Sequence, residues 1–201
     1  SVNLFFDTIL TGGNLYLYDT PKLDLYQVWN EMNINKSEIL TIPPSLYDLL
    51  LDHGDFIHLK KVIVAGEECL SSLVSKHFKN NPGVELYNEY GPTECTVWSL
   101  VYKISKGDEN KKRIPIGLPI TFANILILNK NQQIVPSGAF GELYISGPGV
   151  AEQYKGNFIA DDSNRSELKE YYKTGDLVRI NSDSLVEYIS RVDNQLKVRG
   201  Y

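Results

Sequence analysis

The hydrophobic positions change period repeatedly over residues 14–88. Residues 14–18, Asn-Leu-Tyr-Leu-Tyr, alternate in strand fashion, and Leu25, Trp29 and Met32 follow at helical offsets of four and three. Residues 38–42 read as another strand. Pro43 and Pro44 then open a helix, proline being tolerated in a first turn, with Leu46, Leu49 and Leu50 on one face. A short apolar run over residues 61–65 stops at Gly66, Leu70, Leu73, Val74 and Phe78 mark a further helix, and residues 84–88 return to strand character. Strands alternating with helices predict a parallel sheet with helices covering it.

Beyond about Thr96 the helical spacing is gone. Strand-length runs at 97–104, 123–129, 140–146, 173–180 and 184–190 are separated by Gly, Pro, Asn and Asp turns, which predicts a β-rich second part. The polar stretch 105–112, with Gly107 and five charged residues, reads as a linker between the two parts or as a hairpin tip. Residues 161–170 read as a solvated loop or surface helix, and no repeat or low-complexity tract interrupts the chain.

A chain of 201 residues accommodates one large domain or two modest ones. At 42% hydrophobic and 22% charged residues it has the composition of a globular protein rather than a disordered one. The net charge of −5 and isoelectric point near 5.3 give no basic footprint for duplex DNA or an anionic membrane. Apolar runs such as residues 125–128 are far shorter than the ~20 residues of a membrane-spanning helix. Neither nucleic acid nor membrane is therefore expected as a partner. Cys69 and Cys95 have no C-x-x-C spacing, so reduced thiols and a cytoplasmic location are expected, and Cys95 has no basic neighbour to make it a nucleophile. His53, His58 and His77 lack metal-ligand spacing and read as ordinary surface or core residues. The sequence starts at Ser1 without a Met or a signal stretch, and reads as a piece of a longer chain.

Four segments carry candidate chemistry. Residues 88–94, Asn-Glu-Tyr-Gly-Pro-Thr-Glu, follow a predicted buried strand, and ligands of open α/β sheets bind beyond the carboxyl ends of strands. Gly91 lets main-chain N–H groups approach an anion, Thr93 offers a hydroxyl to a phosphate, Glu94 is a hard oxygen ligand for Mg²⁺, and Tyr90 has a face for a heterocyclic base. Gly-Pro-Thr is equally an ordinary turn. In residues 172–177, Tyr-Lys-Thr-Gly-Asp-Leu, the Asp176 carboxylate could accept both hydroxyls of a ribose, or be a turn aspartate. Residues 141–154 feed a strand into a glycine turn without the helix that a dinucleotide fingerprint requires. Residues 190–200 alternate polar and strand-like positions as a hinge would.

In this order and with these gaps the four segments, Asn-x-Tyr-Gly-Pro-Thr-Glu, Gly-Glu-Leu-x-Ile-x-Gly-x-Gly-Val-Ala, Tyr-Lys-Thr-Gly-Asp-Leu and Arg-x-Asp-x-Gln-x-Lys-x-Arg-Gly, resemble the adenylation domains of nonribosomal peptide synthetases within the adenylate-forming superfamily. Ile-Pro-Ile-Gly-Leu-Pro at 114–119 and Val-Pro-Ser-Gly at 135–138 match as well, and the resemblance runs over residues 1–201. It favours the peptide-synthetase branch over acyl-CoA ligases and luciferases. The fold it implies is an α/β, flavodoxin-like parallel-sheet subdomain over 1–110, a barrel-like β-rich subdomain over 111–192, and a hinge over 193–201.

The resemblance implies a reaction of ATP and an amino acid to aminoacyl-AMP and pyrophosphate, assisted by Mg²⁺. A peptidyl carrier's phosphopantetheine thiol then takes the acyl group, beside neighbouring synthetase domains. By the same resemblance Gly66, Glu67, Asn88 and Tyr90 surround the adenine, Gly91 belongs to the nucleotide loop, Thr93 touches the α-phosphate and Glu94 binds Mg²⁺. Asp176 holds the ribose, Tyr188 and Arg191 flank the nucleotide, and Asp193 is the pivot between two catalytic poses. Asn3, Thr41, Ile63, Ala65, Glu89, Val97 and Trp98 would line the amino-acid pocket. There Ala65 leaves room, Trp98 closes one side, and Glu89 asks for a polar or basic substrate unless it turns to solvent. The family's phosphate loop, an aspartate for the substrate amino group and a bridging lysine have no counterpart within 1–201. The chain alone is thus expected not to form aminoacyl-AMP, and a non-catalytic structural or interaction lobe is the alternative.

Overall fold

The computed structural model describes residues 2–16, 23–154 and 171–192. Its helices are α1 (Val2–Thr11), α2 (Leu25–Ile34), α3 (Pro44–Leu50) and α4 (Ser71–Asn80). Its strands are β1 (Ile39–Ile42), β2 (Lys61–Ala65), β3 (Glu85–Tyr90), β4 (Leu100–Ile104), β5 (Leu118–Pro119), β6 (Asn124–Leu128), β7 (Phe140–Ser146), β8 (Tyr172–Ile180) and β9 (Val186–Arg191). Strands β1 to β5 follow one another in a single mixed sheet, and β6 to β9 form a second sheet in the order β6-β7-β8-β9. None of the described helices is long and apolar enough to cross a membrane.

By contact the described residues divide into two compact units, one of 2–16, 23–87 and 103–114, the other of 88–102, 115–154 and 171–192. The units interleave along the sequence, whereas the sequence pattern suggests a single boundary near residue 110. In the first unit β1 and β2 run parallel, from Ile39 opposite Lys61 to Ile42 opposite Val64. Val62 and Val64 point into the core and alternate with the half-buried Lys61, Ile63 and Ala65, the period expected of a strand with one covered face. Asp24 caps α2, accepting the N–H groups of Tyr26 and Gln27. Lys76 of α4 pairs with Asp48 and Asp52 at the end of α3.

The core of this unit holds one polar relay. The Tyr47 hydroxyl lies 2.7 Å from Nδ1 of the fully buried His77, whose Nε2 lies 2.9 Å from the Val84 carbonyl. A carbonyl only accepts, so Nε2 carries the proton and Nδ1 accepts from the phenol. The ring is held neutral, and burial keeps its pKa below the ordinary histidine value. His77 is thus the core histidine anticipated from the sequence.

Three local expectations change. Residues 14–16 are irregular, after Gly12 at φ +69° and Gly13 end α1, and residues 17 and 18 of the expected strand lie outside the described residues. Helix α1 was missed in the sequence reading, although Phe5, Phe6, Ile9 and Leu10 fall at i, i+1, i+4 and i+5 on one side of it, all of them exposed. Residues 105–112 are neither plain linker nor hairpin tip. A 3-10 helix, Lys106–Asn110, packs against α4 behind a capping box in which Asp108 accepts the N–H and hydroxyl of Ser105.

In the second unit β5 pairs antiparallel with β4, Leu100 opposite Pro119. All pairs in the sheet of β6 to β9 are antiparallel, with Ile127, Leu143, Ile145, Val178 and Val186 filling its core together with Tyr90, Leu100 and Ile116. The barrel-like expectation is corrected here: β6 and β9 are the two edges of an open sheet, and no closed barrel is formed among the described residues. Four strands cannot curl far enough for their edges to meet.

The His77 relay predicts a pH-dependent stability. A histidine with a depressed native pKa contributes fully above the unfolded value of about 6.5, and its contribution is lost as pH falls through that value towards the native one. Urea midpoints should therefore drop between about pH 7 and pH 5, and His77→Gln should flatten that part of the profile. An equal slope in both proteins would remove His77 as the cause.

Candidate active site

The turn after β3 is shaped by close packing. A Cβ at Gly91 would lie 2.3 Å from Trp98 Cα and 2.8 Å from the Val97 carbonyl oxygen, so only glycine lets the two chain segments touch. The Ser99 N–H donates to the Tyr90 carbonyl across this contact at 2.8 Å. Thr93–Cys95 then make one 3-10 turn, ending at Thr96 with φ +54° and Val97 with φ +75°. The Trp98 N–H reaches back to the Thr96 carbonyl at 3.1 Å, which closes a γ-turn on a β-branched residue, a strained arrangement. Two bonds hold it against the 147–151 segment: Thr96 Oγ1 to the Gly149 carbonyl at 2.6 Å and the Ala151 N–H to the Glu94 carbonyl at 2.9 Å. Cys95 is buried behind this turn, and burial with the nearby Glu94 charge pushes its thiol up to about 12.

Opposite this turn, within the same unit, β8 bulges. Its pairing with β7 passes from Tyr144–Lys173 to Glu142–Leu177, two steps along β7 against four along β8. The excess is taken up at Thr174, Gly175 and Asp176, with Gly175 at φ +74°. The Thr174 hydroxyl donates to the Leu143 carbonyl at 2.8 Å and accepts the Asp176 N–H at 3.1 Å. Asp176 faces Arg191 of β9, whose Nη1 donates both to its Oδ1 at 3.1 Å and to the Thr174 carbonyl at 2.7 Å. The Tyr90 phenol donates to the other oxygen, Oδ2.

The Asp176 carboxylate, 1% exposed, thus has a donor on each oxygen. Burial and that carboxylate hold the Tyr90 phenol well above its ordinary pKa, with the Thr174 hydroxyl acting in the opposite sense. The Tyr172 phenol is likewise raised, by burial first and then by the Glu94 carboxylate beside it. A cavity of about 350 Å³ opens here, lined by Tyr172, Lys173, Thr174, Gly175 and Arg191, with Lys173 paired to Glu142 at 3.2 Å. A pocket with carboxylate, guanidinium, ammonium and hydroxyl groups around a bulge is equipped for a polyhydroxylated, charged ligand.

Of the residues singled out in the sequence, the structure bonds Tyr90, Asp176 and Arg191 directly and sets Glu94 beside Tyr172. The Tyr90 ring is packed in the core, 8% exposed, instead of presenting an open stacking face. Asn88 uses its amide to hold the Pro115 carbonyl at 2.8 Å. Thr93 is exposed, Glu89, Val97 and Trp98 are half-buried, and Tyr188 leans on the core from β9. Within the first unit, Thr41 and Ile63 are register partners and Ala65 follows on the face of Ile63. There Gly66 takes φ +86° after β2, the Glu67 carboxylate accepts the Ser45 N–H at the start of α3, and Asn3 belongs to α1. Asp193 lies outside the described residues. Thr174 and Tyr172 were missed. The available signal was a hydroxyl residue two places before an aspartate with glycine between, the spacing at which Ser or Thr accepts the i+2 N–H. No group of three His, Cys, Asp or Glu side chains suited to a metal is present among the described residues.

The sequence model of one family, AMP-binding enzyme, matches residues 2–155. Bacitracin synthase 3 of Bacillus licheniformis is 37% identical over 210 residues, covering all of this chain and 3% of that protein. Gramicidin S synthase 2 of Brevibacillus brevis is 39% identical over 166 residues, 79% of this chain and 4% of that protein. Among solved structures, PA1221, an NRPS protein containing adenylation and PCP domains, superposes with a TM-score of 0.86 at 25% identity, over 96% of this chain and 41% of that one. NpsA-ThdA of Klebsiella oxytoca, an artificially fused adenylation-PCP di-domain, shares the fold with a TM-score of 0.86 at 21% identity, over 100% and 42% of the two chains. The chain therefore spans a few per cent of these curated relatives and less than half of these solved chains.

The packing at Gly91 gives a direct test. Gly91→Ala forces a methyl into backbone that cannot swing aside and should cost about 1–3 kcal/mol or more in urea unfolding. Gly107→Ala, where a Cβ meets nothing within 4 Å, should be close to neutral. Equal effects at the two sites would contradict the close approach.

Proposed function

The chain belongs to the AMP-binding enzyme family, among the adenylation domains of nonribosomal peptide synthetases, and from that premise we propose that it carries the ribose-binding and metal-binding side of an amino-acid-activating site. The parent enzyme is an ATP-dependent ligase that joins an amino acid to AMP with release of pyrophosphate. It then passes the aminoacyl group to the phosphopantetheine thiol of a peptidyl carrier.

The observation that carries this reading is the Asp176 assembly. Its carboxylate already accepts an O–H donor from Tyr90, the same kind of donor that ribose hydroxyls provide, and Arg191 orients it from the other oxygen. Nucleotide entry requires ribose to take over one of these bonds, and stacking of the base on Tyr90 requires its ring, packed in the core, to swing out once the phenol leaves Asp176. The exposure of Thr93 on its 3-10 turn supports its hydroxyl as a partner for a phosphate oxygen.

Glu94 fits Mg²⁺ as a single half-buried carboxylate, because this ion keeps several waters and takes further ligands from phosphates rather than from an all-protein cage. Bound there, the ion would neutralise charge on the phosphate oxygens. The carboxylate supplies one hard ligand, with the Tyr172 phenol beside it.

The amino-acid pocket residues Asn3, Thr41, Ile63, Ala65, Glu89, Val97 and Trp98 and the adenine-side residues Gly66, Glu67 and Asn88 are assigned by the resemblance alone. Asp193 as the pivot, the hinge over 193–201 and a cytoplasmic, reducing setting belong to the same proposal. The last is supported by two buried, free cysteines.

Two measurements on a complete adenylation domain containing this chain test the reading. Asp176→Ala should weaken ATP binding by about 1.5–3 kcal/mol, read as KM for ATP in amino-acid-dependent pyrophosphate exchange. Unchanged ATP affinity would refute the ribose assignment. Glu89→Ala should move the substrate ranking towards apolar amino acids of similar size, because a carboxylate in the pocket must be matched by a donor or cation. An unaltered ranking across the common amino acids would show that Glu89 faces away from the substrate.

A further inference from the structure

We propose that Thr174 is the positioning residue of the nucleotide site, its hydroxyl pinning the β8 bulge so that the Asp176 carboxylate faces the ribose. The inference rests on the ribose reading of Asp176 and deepens it. Thr174 is 3% exposed and stands at the one point where β8 leaves register with β7.

Its hydroxyl both donates and accepts within that bulge. The single proton goes to the Leu143 carbonyl, which ties the bulge to a fixed point on β7, and a lone pair takes the Asp176 N–H, which fixes the backbone that carries the carboxylate. Its own carbonyl receives Arg191, the same guanidinium that holds Asp176 Oδ1. The Val192 N–H donates to the Gly175 carbonyl at 2.7 Å, so the far side of the bulge is secured to the chain leaving β9. One hydroxyl is therefore bonded to the strand behind Asp176, to the main chain of Asp176, and lies within reach of the phenol that caps its side chain.

Without the hydroxyl, the Leu143 carbonyl and the Asp176 N–H lose their partner in a buried place. They recover one most simply if the bulge closes towards regular pairing. Closure would rotate Asp176 relative to Arg191 and Tyr90. Valine has almost the volume of threonine, so Thr174→Val removes the hydroxyl and little else, while Thr174→Ser keeps it.

The test reads discrimination between nucleotides, which does not depend on how much of a preparation is active. In a complete adenylation domain containing this chain, the ratio of kcat/KM for ATP to that for 2′-deoxy-ATP and for 3′-deoxy-ATP is measured by pyrophosphate exchange. The amino acid used is the one of the common twenty giving the highest exchange. The unaltered protein should favour ATP by about tenfold or more, the weight of a hydrogen bond to a charged acceptor. Thr174→Val and Thr174→Ala should bring the ratio down to about one, with KM for the amino acid unchanged, and Thr174→Ser should keep it within about twofold of the original.

Full discrimination in the hydroxyl-free variants, or its loss in Thr174→Ser as well, overturns the positioning role. If both hydroxyl-free variants fail to fold while Thr174→Ser is active, the hydroxyl holds the strand pair rather than aiming Asp176, and the proposal falls. A ratio of one in the unaltered protein instead removes the ribose reading itself, an outcome that no Thr174 variant is needed to recognise.

Discussion

A carboxylate with 1% of its surface exposed is the constraint around which the second unit is organised. Taking an ion out of water costs several kcal/mol after relaxation, and only good geometry with further hydrogen bonds offsets it. Asp176 meets this with Arg191 on one oxygen and Tyr90 on the other, and each partner dictates structure in turn. Arg191 has to stand opposite Asp176 on the neighbouring strand, which it does by register. Tyr90 has to arrive from the end of β3 with its ring in the core, which requires the chain to turn away immediately afterwards. Gly91 makes that turn possible.

The bulge answers a second demand of the same carboxylate. Regular alternation would send successive β8 residues to opposite faces of the sheet, and the Asp176 side chain would then be fixed by the pleat alone. Extra residues at Thr174 and Gly175 decouple its direction from the pleat, and the Thr174 hydroxyl replaces the ladder bond lost in doing so. A second register shift, in the β8 and β9 pairing between Leu177 and Val178, follows at once. The first irregularity borders the cavity through Thr174 and Gly175, while the sheet beyond the second, from Val178 to Ile180, is regular.

How much of this was legible in the sequence depended on the kind of signal. Elements with a clean period were readable: α2, α3, α4, β1, β2 and the four strands of the second sheet are where Leu, Val and Ile spacing put them. Features set by a few polar bonds were not. The capping box at Ser105 and Asp108 turns a charged stretch into a packed 3-10 helix, and no hydrophobic period records it. Strand number and tilt, which separate an open sheet from a barrel, are properties of pairing and not of any one segment. At the site, motif order singled out Tyr90 and Asp176, but not that these two residues, 86 positions apart, are bonded to each other. Thr174 was missed because its bond to the Asp176 N–H leaves no mark in the sequence beyond the Thr-Gly-Asp spacing.

The turn after β3 shows why such a site tolerates strain. Thr96 and Val97 both sit at positive φ, conformations that cost about 1–3 kcal/mol each for residues of this type. Nothing in β3 or β4 themselves demands this route, since a relaxed loop could join them. The path is instead imposed by three fixed points around it: the Gly91 contact with Trp98, the Thr96 hydroxyl on the Gly149 carbonyl, and the Glu94 carbonyl held by the Ala151 N–H. Together they press Thr93 and Glu94 into one short 3-10 turn whose backbone cannot drift. A group that must meet a phosphate or a metal ion gains from being held before the ligand arrives, because the ordering cost is then met in folding and not in binding. The strain at Thr96 and Val97 is in this sense the counterpart of the bulge at Thr174. One distorts a turn and the other a strand, and each fixes an oxygen donor that neither element would place by its regular geometry.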